Sequence, residues 1–338
     1  MTLADFTARV AAGTHLSCDE MTEAVDLLMR GLAADDDIGQ FLLSLRAKGE
    51  TVEELAGAAA AMRRHMTPIR SSRTALVDTC GTGGDASGTF NISTAAAIVA
   101  AASGVAVAKH GNRSITSKSG SANALAALGV RIDAPVATVE RCLDELGICF
   151  CFAPLLHPAM KHVAPVRQRL GVPTIFNLLG PLCNPASASF QLLGVGRREL
   201  RTKLAEALGL LGVKKGVVVS GADGLDEVTL TGPTDVSLVT SSGHEHVVWH
   251  PDDFGLEVGA LDTLRVDGPA ESAAMIELVL RGESGPARDI VVMNAAAALW
   301  TAGHDASLEA CARSAAVAID SGAAAGLLKS WIALSQTD

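Results

Sequence analysis

Glycine, hydroxyl and cationic residues collect in two segments of the chain that each follow a short apolar run. The first segment is GTGGD, residues 81–85, with FNIST following at residues 90–94, and the second is KHGNR, residues 109–113. Glycines lack a Cβ, so such a loop can turn several backbone N–H groups toward one anion. Lysine, arginine and hydroxyl groups also donate hydrogen bonds to phosphate oxygens. Together the two segments predict a site for a polyphosphate.

The elements around these segments would bring them together. Residues 75–78 and 105–108 are typical of buried strands, and an alanine-rich helix is expected to begin near Asn91 and Ser93, which we expect to cap it. The positive end of that helix would face the anion. In α/β proteins ligands bind at the carboxyl ends of parallel strands, where both segments are expected.

The glycine cluster by itself is also compatible with a plain tight turn between strand and helix. The P-loop motif does not occur, and the dinucleotide motif is met only in its looser form, with Ala86 in the place of the third glycine. The second segment, KHGNR, is what favours the polyphosphate site.

The alternation of segments along the chain predicts an α/β fold. Residues 1–68 read as helices only, with caps expected at Ser17 and at Thr51, where Glu54 completes a capping box. Residues 235–240 and 245–249 predict an antiparallel pair with a turn at Ser242 and Gly243. Alanine-rich helices separate the other strand candidates, which indicates a mainly parallel sheet. These candidates are residues 75–78, 105–108, 149–152, 190–195 and 217–220. We therefore expect a small all-helical domain, residues 1–68, and a large α/β domain, residues 69–338.

Composition excludes several classes of function. The chain has 338 residues, 49% of them hydrophobic, and a formal net charge of −10, which argues against nucleic acid as the main partner. No secretory signal and no run approaching the roughly 20 apolar residues of a membrane helix is visible, so a cytoplasmic protein without a membrane partner is expected. The seven cysteines lack motif spacing, which favours reduced thiols.

Adjacent carboxylates follow another strand candidate, at Asp226 and Glu227. Magnesium takes oxygen ligands and is usually held by one or two carboxylates together with substrate phosphates. From the residues alone, a solvated acidic turn is the preferred explanation of the pair.

A third cluster of polar residues includes His157, Lys161 and Arg167. Pro158 suits the first turn of a helix, on which His157 and Lys161 would share a face, and Pro165 is expected to kink or end that helix. Without further information, Arg167 is explained by a surface position.

Five segments of the chain resemble the anthranilate phosphoribosyltransferase family, in order and over nearly the whole length. They are residues 78–85, 90–94, 109–130, 157–185 and 223–227. Two positions depart from the family pattern: Asn123 stands where Asp is usual, and Pro173 where Arg is usual. The resemblance implies transfer of the phosphoribosyl group of phosphoribosyl pyrophosphate to the amine of anthranilate. Pyrophosphate is released, in the second step of tryptophan biosynthesis from chorismate.

The resemblance also assigns roles to single residues. The residues implied to hold phosphoribosyl pyrophosphate are Gly81, Gly84, Asp85, Thr89, Asn91, Ile92, Ser93, Thr94, Lys109, His110, Gly111, Asn112, Arg113, Ser117 and Ser121. The residues implied to contact anthranilate are Gly81, Asn112, His157 and Arg167. Ser93, Asp226 and Glu227 would associate with Mg²⁺, which favours the metal over the solvated turn.

Catalysis would be electrostatic and positional, because an aromatic amine is neutral near physiological pH and hardly needs a base. His110 could act as a general base, although a structural hydrogen bond is the simpler role. The family also implies a homodimer formed through the helical domain, to which residues 160–185 would contribute.

Two alternative enzymes share much of this pattern. One is a related phosphoribosyltransferase with another aromatic amine as acceptor, because acceptor choice depends on the shape of the pocket. The other is similar to a pyrimidine nucleoside phosphorylase, whose phosphate motifs differ from GTGGD and KHGNR. A third alternative is a non-catalytic relative that binds a nucleotide or nucleic acid. The negative net charge of the chain and the presence of both Asp226 and Glu227 argue against it.

Overall fold

The computed structural model describes residues 1–113 and 119–337, which form helices around one seven-stranded sheet. The α-helices are α1 Leu3–Ala11, α2 Cys18–Met29, α3 Asp35–Lys48, α4 Val52–Arg64, α5 Ile92–Ala102, α6 Ser121–Ala127, α7 Val136–Arg141, α8 Ala153–Leu156, α9 Ala164–Leu170, α10 Phe176–Leu179, α11 Arg201–Leu210, α12 Pro269–Leu280, α13 Pro286–Thr301, α14 Leu308–Asp320 and α15 Ala323–Ser335. The strands are β1 Leu76–Gly81, β2 Ala106–Gly111, β3 Ile148–Phe152, β4 Phe190–Gly194, β5 Lys215–Gly221, β6 Thr234–Thr240 and β7 Gly243–Trp249.

The strands lie in the order β3-β2-β1-β4-β5-β6-β7. The first five are parallel, and β6 and β7 continue the sheet in antiparallel fashion, which confirms the predicted α/β class with a mainly parallel sheet. All seven strand candidates are confirmed within a few residues. Two details were wrong. Strand β1 continues to Gly81, so Asp78 lies inside the strand, and the last turn joins β6 to β7 through residues 241–242, with Gly243 already in β7.

The first four helices confirm the helical character predicted for residues 1–68. Ser17 and Thr51 begin α2 and α4 in capping boxes with Glu20 and Glu54, as their spacing predicted. Helix α1 was not predicted, although Thr2 caps it in the same way and its sequence therefore carried the signal.

The sheet separates two hydrophobic cores because successive side chains of a strand point to opposite faces. On β5, Val217 and Val219 pack with α5 and α13, whereas Val218 packs on the other side. That second side also holds α1–α4, α11 and residues from 163–183, so the core of the helical part continues onto the sheet.

Among the described residues, no single helix has the length and apolar character needed to cross a bilayer. Helices α14 and α15 reach that length only when they are joined, and they meet at a 65° bend.

Strand β4 ends at Gly194, where a Cβ would lie 1.6 Å from the backbone oxygen of Asp226. We expect Gly194→Ala to lower the free energy of unfolding by about 3 kcal/mol or more, because backbone rather than a flexible side chain must move. Gly326→Ala is the control, since nothing lies within 4 Å of its Cβ in α15 and a gain of about 0.5–1 kcal/mol is expected. Urea unfolding measures both, and equal effects would contradict the close approach at Gly194.

Candidate functional site

The loops that follow β1, β2, β4 and β5 meet at the carboxyl edge of the sheet. In the first of them, Gly83, Gly84 and Gly88 have left-handed φ angles of 64°, 81° and 70°. Gly81, at the end of β1, does not have a left-handed φ angle. Its lack of a Cβ makes room instead, because a Cβ there would lie 2.5 Å from Oδ2 of Asp226. The loop after β1 therefore closes tightly over the loop after β5.

The backbone donors predicted for an anion are engaged by the acidic pair. Gly83 N–H donates to Oδ2 of Asp226 at 2.9 Å, and Ser93 N–H donates to Oε1 of Glu227 at 3.1 Å. Ser93 lies in the first turn of α5, so Glu227 sits at the positive end of that helix. Helix α5 begins where expected, with Asn91 as its N-cap residue, but the Asn91 side chain makes no capping hydrogen bond. Its Oδ1 accepts hydrogen bonds from the hydroxyls of Ser119 and Ser272.

The acidic pair is held in an environment that disfavours its negative charge. Burial is the main reason that the pKa of Asp226 rises to about 7 and that of Glu227 to about 8. The neighbouring carboxyl of Asp85 adds to the effect on Asp226, and Asp226 adds to the effect on Glu227. Crowded carboxylates of this kind fit a divalent cation, which relieves their repulsion.

The protein alone supplies few ligands for such a cation. In the part of the chain that the structure describes, no group of three or more His, Cys, Asp or Glu residues is arranged to hold a metal ion. The residues therefore fit magnesium, which keeps waters and accepts substrate oxygens, better than a metal that needs a complete protein cage.

Lys109 is buried with 2% exposure, and its ammonium bonds within the protein. It donates to the carbonyl of Thr79 and to Oγ of Ser93, the latter at 3.2 Å. Burial lowers its pKa, and the carboxyls of Asp78, Glu227 and Asp226 oppose that shift. The resemblance assigns Lys109 to the phosphoribosyl pyrophosphate site, where its charge would act on the phosphates. Its side chain instead joins β1, β2 and the start of α5.

Two other predicted residues of α5 are also turned inward. The Ile92 side chain lies in the hydrophobic core, so only its backbone can reach a ligand. Thr94 is buried, and its hydroxyl has no hydrogen-bond partner among the described residues.

The end of β2 places the remaining predicted residues on the same edge. A Cβ at Gly111 would lie 2.2 Å from Oγ of Ser121, so Gly111 is required for the close packing of α6. The Arg113 guanidinium lies 5.9 Å from the ring centre of Phe152, and Asn112 accepts a backbone hydrogen bond from Ala122. Ser117 lies outside the described residues.

The loop after β1 continues to Thr89, which forms an isolated bridge with Arg265. Its hydroxyl lies 3.1 Å from that of Ser87, and Gly84 and Asp85 precede both on the rim of the same loop. Arg265 was not among our candidates, and no motif pointed to it.

His110 and His157 form a buried pair whose Nε2 atoms are 3.2 Å apart. Nδ1 of His110 lies 2.9 Å from the carbonyl oxygen of Gly180. Burial lowers the pKa of His110 to about 3 and that of His157 to about 4, so both rings are neutral at physiological pH. Because Nδ1 of His110 must donate to Gly180, its Nε2 accepts from His157. This arrangement supports the structural role of His110 over the general base.

Arg167 lies on α9, which Pro165 begins rather than ends. Residues Pro158–His162 form only a 3₁₀ turn, so the single kinked helix that we expected over this segment is wrong. The physical reason is that proline is tolerated in the first turn of a helix, where its missing N–H has no partner to lose. Arg167 is half-buried, and its Nη2 donates to Oδ1 of Asn177 at 3.1 Å.

The donor and acceptor candidates are linked through intermediate residues and not by a direct hydrogen bond among the described residues. Asn112 and Arg167 share no hydrogen bond in the described residues. They are connected through His110 beside Asn112, the carbonyl of Gly180, and α10, which carries Asn177.

Sequence reasoning missed two residues that organise this site. Asp78 is fully buried, and its Oδ1 accepts the backbone N–H of His110 at 3.0 Å. A carboxylate inside an apolar strand was the available signal. The carbonyl of Thr79, which accepts from Lys109, gave no signal, because any residue supplies a carbonyl.

Comparison with known proteins agrees with this geometry. A glycosyl transferase family helical bundle domain matches residues 4–66, and a glycosyl transferase family a/b domain matches residues 73–325. The anthranilate phosphoribosyltransferase of Rhodospirillum rubrum is 51% identical over 97% of this chain and 94% of its own length. That of Rhodopirellula baltica is 49% identical over 97% and 96%. The chain belongs to the anthranilate phosphoribosyltransferase family.

Solved structures of the family share the whole architecture. The anthranilate phosphoribosyltransferase of Thermus thermophilus superposes with a TM-score of 0.92 at 43% identity, covering 98% of this chain and 100% of that one. The Saccharomyces cerevisiae enzyme in complex with PRPP and Mg has a TM-score of 0.89 at 30% identity, covering 98% and 97%. The resemblance found in the sequence is thereby confirmed.

The buried histidine pair predicts a loss of stability in acid. The unfolded chain binds protons near pH 6.5, whereas the folded pair binds them only near pH 3–4. The pair therefore contributes a loss of stability as the pH falls from about 6.5 to about 4, by up to about 1.4 kcal/mol per pH unit for each histidine. The raised pKa values of Asp226 and Glu227 act in the opposite direction over the same range, so the share of the histidines is the difference between the unmodified protein and a variant without them. Urea unfolding at several pH values measures this dependence.

Variants separate the pair from other groups that titrate. Compared with the unmodified protein, the double variant His110→Asn/His157→Gln should lose less stability, or gain more, as the pH falls from about 6.5 to about 4. The exposed His244→Gln is the control and should keep the original slope. An unchanged slope in the double variant would show that the histidine pair is not the source.

Proposed function

We propose that the protein transfers the phosphoribosyl group of phosphoribosyl pyrophosphate to the amine of anthranilate. The products are N-(5-phosphoribosyl)anthranilate and pyrophosphate, in the second step of tryptophan biosynthesis from chorismate. The observation that carries the proposal is the direct contact of Asp226 and Glu227 with the anion donors Gly83 N–H and Ser93 N–H. Cation ligands and phosphate donors thus share one place, as a polyphosphate bound with a metal requires.

The donor substrate would bind along the loops that follow β1 and β2. Because Gly83 N–H and Ser93 N–H already donate to Asp226 and Glu227, the substrate's phosphates would take hydrogen bonds from other donors of the left-handed loop at Gly84 and of the start of α5. The buried Lys109 would not contact the phosphates itself. It would hold Ser93 in place by its hydrogen bond and contribute positive charge to the site. These donors are fixed by the fold, so they can stabilise the negative charge of departing pyrophosphate without rearranging.

We assign Mg²⁺ to Asp226 and Glu227, with Ser93 beside them. When bound, the ion would neutralise charge on the pyrophosphate. The raised pKa of both carboxyls supports the assignment, because burial and, to a lesser extent, neighbouring carboxyls disfavour their charge, and a bound cation would offset both effects. The Saccharomyces cerevisiae relative in complex with PRPP and Mg supports magnesium as the ion.

The acceptor would bind between Asn112, the histidine pair and Arg167. The Arg167 guanidinium would pair with the carboxylate of anthranilate, and His157 and Gly81 would border the aromatic ring. The reacting amine is neutral, so the chain needs only to orient it toward the ribosyl carbon. The neutral state of His110 and His157 agrees with a site that avoids acid–base steps.

We also propose a homodimer that forms through the helical domain, residues 1–68 with residues 160–185. Large apolar side chains remain exposed on this part of the chain, including Leu32 at 59% and Leu43 at 43%. Burial of such residues in an interface would remove them from water.

The purified protein should consume anthranilate when phosphoribosyl pyrophosphate and Mg²⁺ are both present. Loss of anthranilate fluorescence follows the reaction, with controls that each lack one component. If pyrophosphate is released only with a different aromatic amine, the protein is a phosphoribosyltransferase whose acceptor is not anthranilate. Absence of any reaction with all acceptors would overturn the proposed function.

Removal of the acidic pair should abolish the dependence on magnesium together with turnover. We expect Asp226→Asn/Glu227→Gln to lose activity at least 100-fold, about 2.7 kcal/mol of transition-state stabilisation, while thermal unfolding shows a folded protein. The control Asp36→Asn/Asp37→Asn removes two exposed carboxylates from α3 and should retain activity. Full activity of Asp226→Asn/Glu227→Gln would show that these two carboxylates are not part of the active site.

A further inference from the structure

Arg167 is a half-buried cation without a carboxylate partner among the described residues. Burial alone lowers its pKa, and no negative group opposes the shift. Arg169, two residues further along α9, pairs with Asp35 at 2.7 Å. A desolvated cation without a counter-ion is unfavourable, so Arg167 is prepared for a negative ligand.

Two side chains of α10 brace this guanidinium. The buried ring of Phe176 lies beneath it, with its centre 5.6 Å from Cζ. Oδ1 of Asn177 accepts two hydrogen bonds, one from Nη2 of Arg167 at 3.1 Å and one from the backbone N–H of Thr174 at 2.9 Å. The bond to Thr174 fixes the Asn177 side chain, which then fixes the direction of Arg167.

We propose that Asn177 is a positioning residue that orients Arg167 and, because its amide is neutral, leaves the full charge of the guanidinium for the carboxylate of the acceptor. This inference rests on the proposed function. A guanidinium has five N–H donors, and Asn177 occupies one of them, so a bidentate pair with a ligand carboxylate remains available.

The substitution Asn177→Asp would keep the position of the side chain but would place a negative charge beside Arg167. Aspartate has nearly the shape of asparagine and can still accept the N–H of Thr174. Its charge, however, would pair with Arg167 and compete with the ligand for the same donors. A purely structural role for Asn177 predicts that Asn177→Asp is neutral or stabilising. Our proposal predicts that it weakens acceptor binding.

The experiment compares the kinetics of the unmodified protein with those of Asn177→Asp. We expect the KM for anthranilate to rise about fivefold to tenfold, the KM for phosphoribosyl pyrophosphate to stay within about twofold, and the thermal midpoint to be unchanged or higher. Inhibition by aniline, which lacks the carboxylate, should be equal in both proteins. The control Arg169→Ala removes an arginine that is already paired and should leave both KM values unchanged.

Asn177→Ala supplies a second variant that tests orientation without an added charge. It should also raise the KM for anthranilate and leave that for phosphoribosyl pyrophosphate unchanged. An unchanged KM for anthranilate in both folded variants would overturn the role of Asn177 while the proposed function stands. A lack of turnover by the unmodified protein would overturn the proposed function, and this inference with it.

Discussion

The buried ammonium of Lys109 is the interaction on which the rest of the site depends. It binds the carbonyl of Thr79 on β1 and the hydroxyl of Ser93 at the start of α5, while its own backbone belongs to β2. Burial disfavours a cation in such a place, and the carboxyls of Asp78, Glu227 and Asp226 oppose that effect by favouring the charged form of Lys109. Each carboxylate in turn accepts a backbone N–H, so charge balance and loop geometry are set together.

Much of this arrangement could be predicted from the sequence because it follows local patterns. Apolar runs located every strand, and capping residues located α2 and α4. Motif residues that follow β1 and β2 come together because parallel strands bring their carboxyl ends to one edge.

The orientation of individual side chains could not be predicted from the sequence, because tertiary contacts determine it. Lys109 faces inward because a carbonyl and a hydroxyl lie behind it, not because of its neighbours in the chain. Gly81 is needed for the approach of Asp226, which is far away in the sequence. The sequence around Pro165 was compatible with either the end or the beginning of a helix, and packing against α3 accompanies the second.

The two faces of the sheet carry a consequence for how the molecule holds together. Neighbouring valines of β5 belong to different cores, and the core beneath α1–α4 includes residues of β4, β5 and β6. Neither the helical part nor the α/β part can therefore be cut out of the chain without exposing apolar surface that the other part covers. A fragment that contains only the first four helices would expose apolar side chains that now pack on the sheet. This shared core favours unfolding of the intact chain as one cooperative unit.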